Sequence, residues 1–233
     1  MKAIFKREFK SYFTSPMGFI IIAIMTFFLS QVFANLFNVN YGNIAYAFVY
    51  MNTYAMLIAP IITMKLFSEE KRQKSDQLLF TSPVKIWKIV AGKFLAAFCL
   101  FMLGYAITLV FNIIFAFVTD VNWLLYLSCV LGAALVGASI ISIGVFISST
   151  TESQIISAVF SMIVSLFLLM IDYFSNIFNN AVVTGVCNFV SFTSRFNSFA
   201  SGIIDFSNII FFLSVTALFL FLTTRSIERK RWA

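Results

Sequence analysis

Apolar residues dominate this chain in long blocks, and charge interrupts them at only a few places. A helix needs about 20 consecutive apolar residues to cross a bilayer, and six stretches meet that need. The predicted spans are 17–37, 44–66, 94–118, 124–147, 155–174 and 207–224. Short alternating segments of the kind that build membrane β-barrels are absent, and helices satisfy their own backbone in hydrocarbon. The fold class expected is therefore all-α and integral to a membrane. One transmembrane domain fills residues 1–233, with no soluble domain inserted and no internal repeat.

The segments between the spans carry patterns of their own. In residues 1–16, Phe5, Phe9 and Tyr12 share one helical face while Lys2, Lys6 and Lys10 lie largely elsewhere. That spacing predicts an amphipathic helix lying in the membrane interface, with a frayed basic tail as the plainer alternative. Pro16 suits the first turn of the helix that follows. Residues 175–206 are too long and apolar for a simple link, and the 181–192 stretch is too short to cross. One or two re-entrant helices dipping into the outer leaflet fit it, a floppy outer loop being the alternative. On span four, Ala133 with Gly137, and Ala134 with Ala138 and Ser142, place small residues at helical spacing, as close packing within one bundle requires.

Ten charged residues fall between Lys65 and Lys93, the most polar stretch of the chain. Glu69, Glu70, Lys71 and Arg72 follow span two directly. Ser75 can cap a short helix that begins at Asp76, and Ser82 another whose first residue is Pro83. The second, 84–90, would turn Ile86, Ile89 and Val90 inward and leave Lys85 and Lys88 in water. A short rigid elbow of this kind within 67–93 suits the transmission of force from a soluble partner. A solvated loop resting on lipid headgroups has the same composition.

Charge then orients the bundle. The formal net charge is +7, and Lys and Arg occupy positions 2–10, 65–93 and 225–231, with Arg195 the exception. Basic clusters separated by even numbers of spans read as cytoplasmic, so both termini are expected inside a cell membrane. The positive charge thus reports topology, and a nucleic-acid role is disfavoured. The apolar segment after the basic N-terminus is a full span, so it is not expected to be a cleaved signal.

Catalytic chemistry has little to work with. The chain has no histidine and three cysteines without a pairing pattern, which removes His-based acid–base catalysis and the common zinc motifs. Gly92-Lys93 is followed by Phe94 where a nucleotide-binding loop needs Ser or Thr, and Trp87 stands where its first glycine belongs. Within the spans, ionisable residues are nearly absent, Asp172 lying close to an outer end. Ion-coupled carriers keep such groups near the midplane. Gln31, Asn35, Asn52, Thr108 and Asn112 read as interhelical hydrogen bonders. No metal or cofactor is expected in this chain.

Several segments resemble one family. They are Phe5-Lys-Arg-Glu-Phe-Lys-Ser-Tyr-Phe-Thr-Ser-Pro-Met-Gly18, Pro60-Ile-Ile-Thr-Met-Lys-Leu-Phe-Ser-Glu-Glu-Lys-Arg-Gln73, Leu78-Leu-Phe-Thr-Ser-Pro-Val84, Gly92-Lys-Phe94, Ser148-Ser-Thr-Thr-Glu-Ser-Gln154 and Gly202-Ile-Ile-Asp-Phe206. In these the chain resembles the permease subunits of ABC-2-type ABC transporters, most of all the gliding-motility-associated group, with nitrous-oxide-reductase maturation permeases more distant. It departs from the group at Lys74, Gln77 and Ser201, where Gly, Glu and Arg are usual.

The resemblance implies a six-span exporter subunit whose first cytoplasmic loop is the coupling helix. A separate ABC ATPase, carrying ATP and Mg, would dock beneath it. A second permease subunit, the same or different, would complete a pore lined mainly by spans two and five. An accessory membrane protein with an extracytoplasmic domain is compatible with such an assembly. The residues it assigns to ATPase coupling are Glu69, Glu70, Lys71, Arg72, Ser75, Asp76, Pro83 and Glu152. Of the two glutamates after span two, Glu70 is the preferred one. A membrane anchor that moves nothing would need the same docking surface, while an intramembrane enzyme would need clustered catalytic groups that the sequence lacks.

The charge segregation makes a direct prediction. Cysteines introduced at Lys71 and Glu228 should react with an impermeant thiol reagent only from the cytoplasm, and one at Asn197 only from outside. Reaction of positions 71 and 228 from opposite sides would exclude six spans.

Overall fold

The computed structural model describes residues 1–38, 44–72, 85–117, 122–177, 185, 187 and 189–232. Its principal elements are helices: α1 (Lys2–Thr14), α2 (Met17–Asn38), α3 (Ile44–Thr63), α4 (Lys65–Arg72), α5 (Ile86–Ala116), α6 (Trp123–Thr150), α7 (Gln154–Ile177), α8 (Phe192–Ala200) and α9 (Phe206–Trp232). Among the described residues, six helical stretches are long and apolar enough to cross a membrane, with α3 and α4 together making one of them. The spans alternate in direction. One end of the bundle gathers α1, α4, the start of α5 and the end of α6, and is rich in lysine and arginine. The other end holds α8.

Helix α6 is the central post, packing against α3, α4, α5, α7, α8 and α9. Lipid tails are as apolar as leucine, so helices in a membrane associate through close fit rather than through exclusion of water. Small residues allow that fit. A Cβ at Gly137 would overlap the Phe101 ring of α5, and one at Gly144 would overlap the Thr63 hydroxyl of α3. Ala133, Ser139 and Ser142 are fully buried on the same helix. Ser139 Oγ donates to Phe212 O of α9 at 3.0 Å, and Phe146 meets Phe219 at 5.8 Å, so α6 and α9 run side by side in the same direction.

Helix α8, nine residues long, is too short to cross a membrane. Ser191 caps it, its Oγ accepting from Ser194 N at 2.9 Å. Phe192, Phe196 and Phe199 are buried, and Ser128 Oγ of α6 donates to Phe199 O at 2.9 Å. Arg195, the cation at this end, donates from its NH1 to Asn208 Oδ1 at 2.7 Å and lies 4.1 Å from the Phe211 ring. These contacts pin α8 onto α6 and α9. Residues 178–184, which belong to the segment expected to be re-entrant, lie outside the described residues.

Two helix limits differ from the sequence expectation. Residues 86–93 are not a separate elbow: α5 runs unbroken for 31 residues from Ile86, about 46 Å at the helical rise. No proline intervenes, and a single glycine costs a helix only about 1 kcal/mol. A helix longer than the roughly 30 Å hydrocarbon layer projects beyond it. Span two, conversely, breaks at Met64 and resumes as α4.

The α3–α6 contact at Gly144 is a sensitive point. Thr63 is β-branched and stiff at χ1, so it cannot swing away. Gly144→Ala should destabilise the fold by about 1–3 kcal/mol through overpacking, read as a lower thermal midpoint in detergent. Pairing it with Thr63→Ala should restore part of the loss, and an unchanged midpoint in the single variant would contradict this packing.

Candidate functional site

The break at Met64 exposes backbone groups in a place with little water, where each must find a partner. Three other helices supply them. Ser148 Oγ of α6 enters the helical ladder: it accepts from Phe67 N at 3.1 Å and Ser68 N at 3.3 Å, and donates to Met64 O at 3.1 Å. Tyr12 of α1 donates its hydroxyl to Ile62 O at 2.9 Å. Lys93 Nζ of α5 donates to Leu66 O at 2.6 Å. A side chain inserted into the ladder is a recognised cause of a helix kink, so α4 is an arm hinged on α3 and held from three sides.

Charges gather on the same arm. Lys93 is 1% exposed, and its Nζ lies 2.9 Å from Glu70 Oε1 of α4 and 3.4 Å from Glu8 Oε1 of α1. It also sits 4.9 Å from the centre of the Phe67 ring. Arg7 reaches both glutamates, at 2.8 Å to Glu8 and 3.0 Å to Glu70. Two cations and two carboxylates make a neutral set. The close approach of α1 to α5 depends on Gly92, where an added Cβ would stand 3.1 Å from Ile4 Cγ2.

Burial separates the weights of these pairs. Arg7 is 62% exposed, and an exposed ion pair contributes about 0–1 kcal/mol. Removing one partner from a buried pair costs about 3–5 kcal/mol, because the other charge is left stranded. Lys93 is therefore the pin and Arg7 a cover. The hydrogen bond that Arg7 donates to Glu8 raises the Arg7 pKa, burial opposes it, and the charges of Glu8 and Glu70 raise it further. Tyr12 is pushed up by burial, with the negative charge of Glu8 adding to the shift. Its phenol stays protonated and able to donate to Ile62 O.

Beside the pin lies a cleft of about 350 Å³ lined by residues that include Arg7, Lys65, Glu69, Glu70 and Lys93. Lys65 Nζ donates to Ser15 Oγ at 3.3 Å and covers the Tyr12 ring at 5.1 Å. Of the residues assigned to coupling, Glu70 lies within the ion-pair set and Glu69 lines the cleft. Lys71 Nζ donates to Ser149 O at the end of α6. Arg72 is exposed at the end of α4, and Glu152 is exposed in the turn between α6 and α7, away from the set. Ser75, Asp76 and Pro83 lie outside the described residues. Glu8, Arg7, Tyr12, Ser148 and Lys93 were not among the residues assigned from sequence. Lys93 stands where the polar stretch meets the apolar block, and no local signal marks it as buried.

Among the described residues no group of three or more Cys, Asp or Glu is placed to hold a metal ion.

Over residues 31–225 the chain matches the family described as ABC-2 family transporter protein. The chain belongs to that family. No curated protein matched it. An ABC-2 protein of this kind is the membrane component of an ABC transporter, so the chain is a multi-pass permease subunit. Glu70, Lys93 and Ser148 fall inside the matched residues of the permease, whereas Arg7, Glu8 and Tyr12 on α1 precede them.

Substitutions in the permease should separate the pin from its cover. Lys93→Met should leave Glu8 and Glu70 with Arg7 as their shared cation, one negative charge in excess, and lower stability by up to about 3–5 kcal/mol, while Arg7→Gln should cost no more than about 1 kcal/mol. Thermal unfolding in detergent measures both, and equal losses would contradict the difference in burial.

Proposed function

We propose that this permease is the membrane half of an ATP-driven exporter, and that α4 is the arm through which its ATPase partner moves the bundle. The observation that carries this reading is the hinge at Met64, where α1, α5 and α6 all hold one short charged helix. A push on α4 cannot stay local: Lys93 would pull on α5, Ser148 and Ser149 on α6, and Glu70 on α1.

In this reading the basic end faces the cytoplasm, in keeping with the segregation of Lys and Arg, and the ATPase docks beneath α4. Glu69, Arg72 and Glu152 present charge towards it. Nucleotide binding by the partner favours one packing of the bundle over the other through its differential affinity for the two. Two permease copies flank the path, and the outward end opens when the arm is driven. The gliding-motility-associated resemblance in the α1 and α4 segments supports export as the direction.

The test needs no knowledge of the cargo. With the permease and its ATPase reconstituted in nanodiscs, spin labels at Ile203 in the two permease copies should change separation on ATP binding. Glu70→Ala should leave assembly intact and reduce the hydrolysis stimulated by the permease at least about ten-fold, equivalent to some 1.4 kcal/mol of lost coupling. A static outer end with active hydrolysis would make the chain an anchor that transports nothing.

A further inference from the structure

Helix α1 divides into rows. At about 100° per residue, Ile4, Glu8 and Tyr12 form the row against the bundle. Phe5, Phe9 and Phe13 lie about 100° further round, and Lys2, Lys6 and Lys10 about 60° beyond them. The three rings lie in series, Phe5 stacked on Phe9 at 5.7 Å and Phe9 tilted against Phe13 at 5.1 Å, and Phe13 meets Phe19 of α2 edge-on at 5.5 Å. Phe19 is 60% exposed on a membrane span, which is a lipid-facing position. The aromatic row is thus continuous with the lipid-facing wall and marks the level of the acyl chains. The lysines, all exposed, come next on the side away from the bundle. Among the described residues none of them forms an ion pair, in contrast to Arg7 and Lys93. Trp87, 51% exposed with Lys88 Nζ 5.9 Å from its ring, stands on α5, against which α1 packs.

We propose that Lys2, Lys6 and Lys10 bind the headgroups of anionic phospholipids, and that a negatively charged leaflet thereby clamps α1 against the hinge. The position of the row decides the occupant. A soluble partner would meet the side of α1 bearing Arg7 and Thr14, whereas these ammoniums sit between the acyl level and water, where phosphates lie. The Phe row supplies apolar anchorage and the Lys row supplies selectivity for charge, the combination that holds amphipathic helices on anionic bilayers. Glu8 and Tyr12 are on the same helix, so fixing α1 also fixes two of the groups that hold α4. The surface exists in the permease alone and stands whether or not the transport reading holds.

The test is hydrogen exchange of the α1 amides in the full-length chain, in nanodiscs of phosphatidylcholine alone or with added phosphatidylglycerol. A basic residue near an anionic surface contributes roughly five-fold in binding, so the three lysines should slow exchange by about a hundred-fold in the anionic discs. Raising salt from about 0.1 M to 1 M shortens the screening length from about 10 Å to 3 Å and should erase the difference. Changing all three lysines to glutamine should erase it too, while changing them to arginine should keep it. Unchanged exchange along α5 shows that the variants are folded, and the salt titration needs no variant. Equal exchange of α1 in neutral and anionic discs would overturn the proposal, as would lipid dependence that survives in the glutamine variant. Slowing by the ATPase in neutral discs, with no response to phosphatidylglycerol, would assign the row to an acidic protein surface and overturn it equally.

Discussion

A broken helix inside a low-dielectric bundle leaves carbonyl and amide groups that water cannot reach, and everything at the basic end follows from satisfying them. Each such group left alone costs about 1–3 kcal/mol. Ser148 serves three of them with one hydroxyl, and Tyr12 and Lys93 take the carbonyls of Ile62 and Leu66. Because these partners come from α6, α1 and α5, the break that sets α4 apart from α3 is also what ties it to the rest of the bundle.

Lys93 then has to be neutralised, and that requirement brings α1 and α4 together. A buried ammonium is tolerated when paired and hydrogen-bonded. Glu8 and Glu70 provide the charge and Leu66 O the hydrogen bond, while Arg7 balances the second carboxylate. Other buried polar groups of the bundle are less complete. Asn112 is fully buried with neither amide atom hydrogen-bonded among the described residues, and Tyr105 OH, Asn52 Oδ1 and the Ser157 and Ser161 hydroxyls of α7 are in the same condition.

Close packing is the second constraint. Gly137 and Gly144 let α6 touch Phe101 and Thr63 directly, and Ser148 lies one turn beyond Gly144 on that helix. The approach that Gly144 permits brings the Ser148 hydroxyl within reach of the kink. A change in helix fit there would therefore be felt in the hydrogen bonds of the hinge.

Block length and charge were enough to read six spans and an all-helical membrane bundle from the sequence, because backbone satisfaction in hydrocarbon leaves helices as the solution for apolar runs of that length. Motif spacing gave the family, and the glutamates after span two gave part of the candidate site. The pairings were not legible. Glu8, Glu70 and Lys93 are far apart in the chain, and each taken alone reads as a surface charge near a span end. Lys93 looked like the last residue of a polar loop, since nothing local tells a solvated lysine from one buried at the root of a helix. Periodicity specifies which face of a helix is apolar but not which distant helix lies against it. Only tertiary packing, by bringing α1, α4, α5 and α6 to one point, decided which charges lose water and must find one another.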